Sequence, residues 1–136
     1  MGGELILVVE PERDIAFVLE SLLRDEGYQV DAVEPFCFVS QEQIGLAADL
    51  VMLDVYSPPG VVPSHAESLF HALEGRQVPI LCLSTDMRVE REMAAKPNVV
   101  GTIELPFDAG SLLQKVRRAL DAKRPERGTS STDRAA

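Results

Sequence analysis

The chain has 136 residues, 46% hydrophobic and 26% charged, with a formal net charge of −9. That describes one domain with enough apolar content for a core, and its acidity argues against nucleic acid or an anionic membrane as partner. No cationic segment precedes the first apolar run and no run is long enough to span a bilayer, so the expected location is cytoplasmic.

The first element is a strand over about Glu4–Val9, a continuous apolar run of the kind buried on both faces of a parallel sheet. Asp14–Glu26 then places Ile15, Val18, Leu19, Leu22 and Leu23 on one helical face, and Gly27 supplies a C-terminal cap. Tyr28–Val33 alternates as a second strand. A helix is read over Phe36–Ala48, weakened by Gly45. Leu50–Leu53 is strand three. Ser64-His65-Ala66-Glu67 has capping-box spacing and starts a helix through Leu73, stopped by Gly75. Pro79–Leu83 is strand four, and a short helix from about Met87 to Ala95 is closed by Lys96-Pro97. Val99–Ile103 is strand five. Asp108 caps a last helix whose buried stripe is Leu112, Leu113, Val116, Ala119 and Leu120.

Five repeats of strand then helix imply an α/β fold: a three-layer sandwich with a five-stranded parallel sheet and helices on both faces, joined by right-handed crossovers. The domain is read as residues 1–122. Residues 123–136 are polar, with four cations against two acids, and read as a disordered tail.

Chemistry concentrates where the strands end. The run Leu50-Val51-Met52-Leu53 leads into Asp54, and Pro58-Pro59-Gly60 breaks the chain soon after. Open α/β sheets place their ligand crevices at this carboxyl edge. Strand one ends in the same way at Glu10-Pro11-Glu12, and strand four at Ser84. Plainer readings stand beside these. Asp54 is also a reasonable turn residue, Glu10 and Glu12 suit the start of a helix, where negative charge is favoured, and Ser84 suits a turn. His65 and His71 have no Cys or carboxylate partner at ligand spacing and read as surface or packing residues. Cys37 and Cys82 read as reduced small hydrophobes.

Four pieces, in order and at matching spacing, give the chain a likeness to a known family over roughly residues 4–122. They are Ile6-Leu7-Val8-Val9-Glu10, Asp49-Leu50-Val51-Met52-Leu53-Asp54, Pro79-Ile80-Leu81-Cys82-Leu83-Ser84 and Leu105-Pro106-Phe107-Asp108. The chain resembles a response-regulator receiver domain, the phosphoacceptor module of two-component signalling. The resemblance implies a flavodoxin-like sheet in the order 2-1-3-4-5, with Asp54 at the position that accepts a phosphoryl group from a histidine kinase and Ser84 at the hydroxyl position. It also implies Mg²⁺ held by an acidic pair after strand one together with the acceptor aspartate, a lysine before Pro106, and a cis bond at Leu105-Pro106.

The family equipment is only partly kept. Glu10 is followed by Pro11 where the more direct metal ligand belongs, so Glu10 and Asp54 are the remaining metal candidates and Mg²⁺ binding is expected to be weakened. Leu105 replaces the lysine, and Thr102 replaces the usual aromatic switch residue. Attack on phosphorus builds charge on the equatorial oxygens that a cation must meet, and losing one such donor costs about 3 kcal/mol, or a hundredfold in rate.

Three functions compete on this reading. The first is an atypical receiver in a phosphorelay that works through contacts with a protein (histidine kinase, phosphotransferase or downstream effector) and has weak or absent phosphorylation. The second is a functional phosphoacceptor on Asp54. The third, a small enzyme on the same scaffold, lacks a phosphate-cradling glycine loop, a Gly-x-Ser-x-Gly elbow and paired His ligands, and the chain is read as no enzyme. The oligomeric state is left open.

Overall fold

Three of the strands are built from residues that favour burial on both sides. β1 (Leu5–Val9) is Leu-Ile-Leu-Val-Val, β3 (Leu50–Asp54) has all five residues buried, and so does β4 (Ile80–Ser84). β2 (Gln29–Val33) and β5 (Val99–Glu104) mix exposed and buried residues, as edge strands do. The sheet is wholly parallel in the order β2-β1-β3-β4-β5, the expected topology. The computed structural model describes residues 3–33, 48–55, 69–71, 73, 76–85 and 87–129.

Alternation along the strands creates two cores. On one face Ile6, Val8, Leu50, Met52, Leu81, Leu83 and Ile103 pack with Leu19, Leu23, Leu112, Val116 and Leu120. Those helical residues belong to α1 (Arg13–Asp25) and α3 (Ala109–Thr129). On the other face Leu7, Val9, Val51, Leu53, Ile80 and Cys82 meet Leu69, Leu73 and Met93, the last from α2 (Met87–Ala94). Each fully buried Leu or Ile contributes about 1.5–3 kcal/mol relative to exposure, so the two layers hold the sheet from both sides.

The expected caps form. Gly27 adopts φ +96°, Gly27 N–H bonds Arg24 O at 2.9 Å and Tyr28 N–H bonds Leu23 O at 3.2 Å, the crossed pair that closes a helix through a left-handed residue. Asp108 Oδ2 accepts from Ser111 N–H at 2.9 Å, satisfying a first-turn donor of α3.

The differences from expectation are small. β3 and β4 each run one residue further, into Asp54 and Ser84, because parallel pairing continues there (Asp54 opposite Leu83, Ser84 opposite Glu104). α3 runs to Thr129, beyond the expected boundary at 122. Pairing between β4 and β5 skips Val100, since Ile80 opposes Val99 and Leu81 opposes Gly101. A Cβ at Gly101 would stand 3.2 Å from Leu81 Cδ2, so glycine is the residue that allows this close approach. Residues 69–71 are helical, within the expected Ser64–Leu73 helix. The capping box at Ser64–Glu67, the Phe36–Ala48 helix apart from Ala48, His65 and Cys37 lie outside the described residues.

Candidate functional site

Backbone hydrogen bonds lace the strand ends together. Glu10 N–H donates to Val33 O at 3.2 Å, Val55 N–H to Leu83 O at 3.0 Å, and Leu105 N–H to Ser84 O at 3.0 Å. The carboxyl tips of β1, β3, β4 and β5 are thus fixed beside one another. β1 and β3 run in register, with Val8 opposite Met52 and Val9 opposite Leu53. Period-two alternation then carries Glu10 and Asp54 onto the face of Ile6, Val8, Leu50 and Met52, under α1 and α3.

Both acids are buried, each only 2% exposed. Glu10 Oε2 accepts from Glu12 N–H at 3.0 Å, while Glu10 Oε1 is enclosed with no hydrogen-bond donor. Burial pushes the Glu10 carboxyl up to about 8, helped by its hydrogen bond to Asp54 and by the charges of Asp54 and Glu12, with the Glu12 N–H acting in the other direction. A carboxyl buried beside a second carboxyl in a low-dielectric site ionises only at a cost, so near neutrality Glu10 keeps its proton.

Beside Asp54, but not Glu10, lies a cavity of about 670 Å³, lined by Pro11, Glu12, Asp14, Ile15, Val18, Asp54, Thr85, Leu105, Pro106 and Phe107. Its walls come from the start of α1 and from the loop after β5, where Leu105-Pro106 is a cis peptide. Ile15, Leu105 and Phe107 pack against the α1–α3 core and also face this space. Among the described residues no Lys or Arg lines it. Leu105 stands where the sequence comparison expects a cation, and an isobutyl group there walls the hollow instead of charging it.

Glu10 and Asp54 are brought into contact. Ser84 is buried, 1% exposed, at the tip of β4, and Thr85, the next residue, is the hydroxyl that lines the cavity. Thr85 was missed by reading the sequence. Its signal was the alternation itself, since Leu81 and Leu83 belong to the α1–α3 face and that phase continues to residue 85. Thr102 gives its carbonyl to Lys115 Nζ at 2.7 Å, which ties β5 to α3 away from the acids. His71 is exposed on the far side of the sheet. Cys82 is a buried free thiol pushed up to about 12 by burial, a packing residue rather than a nucleophile.

The donor set bears on a divalent cation in a limited way. A buried carboxylate oxygen without a donor, beside a second buried acid, is an environment that a hard oxygen-seeking ion relieves. Pro11 offers no side-chain oxygen, and no cluster of three or more His, Cys, Asp or Glu suited to a metal occurs among the described residues. The pair Glu10–Asp54 therefore fits a two-carboxylate site whose remaining ligands would be water.

No family model matches the chain. Protein Rrf1 of Nitratidesulfovibrio vulgaris is 36% identical over 115 residues, covering 85% of this chain and 81% of that protein. NtrX from Brucella abortus superposes with a TM-score of 0.80 at 23% identity over 96% of this chain, which spans only 29% of the NtrX chain. A response regulator receiver protein from Burkholderia phymatum superposes with a TM-score of 0.73 at 22% identity, covering 88% of this chain and 96% of that one. With the sheet order, the acid pair at its carboxyl edge and these relatives together, the chain belongs to the response-regulator receiver domains of bacterial two-component signalling.

Proposed function

We propose that this domain is an atypical receiver that signals mainly through contacts with a protein partner, with phosphorylation of Asp54 weak or absent. The observation that carries the reading is Leu105 in the cavity wall, with no cationic side chain lining the hollow among the described residues. Transfer to Asp54 forms an Asp54 Oδ–P bond as the donor's bond to phosphorus breaks, and charge on the phosphoryl oxygens must be neutralised as this happens. Here the phosphoryl group would meet two buried acids and apolar walls. Lacking one electrostatic donor costs about 3 kcal/mol, and a two-carboxylate Mg²⁺ site adds a further loss. Incubation with Mg²⁺ and acetyl phosphate, followed by intact-mass spectrometry, tests the reading. The expected result is little or no mass increase, and stoichiometric phosphorylation at Asp54 would refute it.

One observation favours the second reading, in which Asp54 works as a phosphoacceptor. The donor-less Glu10 Oε1 beside Asp54 suits a cation, and a histidine kinase that supplies its own positive groups would compensate for Leu105. Under that reading a cognate kinase labels wild type well above an Asp54→Asn control. Equal labelling of the two ends it.

A further inference from the structure

We infer that the cavity beside Asp54 is a binding site for a small, uncharged and mainly apolar molecule, its body held against Ile15, Val18, Leu105 and Phe107 and one polar group turned to the Thr85 hydroxyl. Size is the first support. About 670 Å³ lies within the range of pockets that bury small organic ligands, roughly 300–1,000 Å³. One side chain of a docked protein would fill only part of it. The second support is the apolar surface that the walls leave in water. Pro11, Ile15, Val18, Leu105, Pro106 and Phe107 are six of the ten lining residues. Val18 is 45% exposed, and Phe17, next to it in α1, is 68% exposed. Ile15, Leu105 and Phe107 are only partly buried. Among the described residues one other large hydrophobic is comparably exposed, Val100 on β5. Uncovered hydrocarbon therefore gathers around this hollow, as it does at ligand sites.

The third support is the charge pattern, which disfavours ions of either sign. Glu12, Asp14 and Asp54 repel an anion, and no Lys or Arg lines the space among the described residues. A cation finds no seat to replace its water. Asp54 is 2% exposed and hydrogen-bonded to Glu10, so its carboxylate is already committed inside the protein. Glu12 and Asp14 are exposed, where water screens them. An ion of either sign would shed hydration against apolar walls at a cost, whereas an uncharged apolar molecule gains from the same transfer. Leu105 sets this character, because the lysine that the family resemblance implies there would charge the wall.

Binding of this kind is independent of whether Asp54 accepts a phosphoryl group. Acetyl phosphate labelling decides the one, and titration of the unphosphorylated full chain decides the other. The experiment titrates ¹⁵N-labelled protein with three probes of similar shape: neutral 2-phenylethanol, cationic 2-phenylethylammonium and anionic 3-phenylpropionate. The neutral probe is expected to bind about tenfold tighter than either ion, with saturable shifts of the Ile15, Thr85, Leu105 and Phe107 amides. Leu105→Lys should weaken it about tenfold, and Leu105→Met should retain it. Equal affinity for the three probes, or tighter binding of either ion, overturns the inference. So does the absence of saturable shifts at millimolar neutral probe, or shifts confined to residues away from the cavity. Because the probe series is run on wild type, the result does not depend on any variant folding.

Discussion

The two ends of the same sheet are finished differently. At the amino end two polar side chains satisfy the backbone: Asp49 Oδ2 accepts from Leu5 N–H at 2.8 Å, and Asn98 Nδ2 donates to both Arg76 O and Val78 O at 2.9 Å. At the carboxyl end two acids, Glu10 and Asp54, are buried against each other. Side chains that satisfy the backbone mark an end selected for stability. Frustrated charge held in place by a well-packed frame marks an end kept for binding or signalling, because such groups destabilise the fold unless something meets them.

That contrast can be broken most sharply at Glu10. Its folded-state pKa of about 8 lies above the ordinary 4.5, so the native state holds a proton that the unfolded chain releases earlier. The stability this contributes is fully present below pH 4.5 and is lost as pH rises through 8. Urea unfolding of wild type at pH 5 and pH 8 should therefore show a loss at the higher pH on the order of a few kcal/mol. Glu10→Gln should remove the slope and be the more stable protein at pH 8. A slope unchanged by the substitution would remove Glu10 as its source.

The next effect is kinetic. Leu105→Lys returns a cation to the cavity wall and should raise acetyl phosphate labelling of Asp54 about a hundredfold, equivalent to about 3 kcal/mol. A rate equal to wild type by mass spectrometry would mean that something other than the missing charge limits the reaction. Smaller again is Asp49→Ala at the amino end, which leaves Leu5 N–H without its side-chain acceptor and should cost about 1–2 kcal/mol. Unlike Glu10→Gln it should leave the pH 5–8 slope intact. The smallest is Asp108→Ala, which removes the α3 cap and should cost about 1 kcal/mol by urea midpoint.

The frame was readable before the structure because its signals are local. Leu5–Val9 and Leu50–Leu53 have the length and continuity of strands buried on both faces, Gly27 marks the end of α1, and Asp108 marks the start of α3. Strand ends were harder to place, because whether Asp54 and Ser84 still pair depends on neighbouring strands and not on their own propensity. The acid residues were readable as candidates, but their state was not. That Glu10 keeps its proton to about pH 8 follows from burial and from its contact with Asp54, which is distant in sequence. The cavity belongs to the same class: Ile15, Thr85, Leu105 and Phe107 come from three separate segments, and no window of sequence contains them together. Thr85 shows the limit at its narrowest, since one step of alternation separates the residue singled out from the one that lines the space.

A ¹³C NMR titration of the Glu10 side-chain carboxyl, with Glu10→Gln used to assign it, addresses the buried acid pair most directly. A midpoint near pH 8 is the predicted result. A midpoint at the ordinary 4.5 would mean that the hollow is open to water or already neutralised, and would contradict the account.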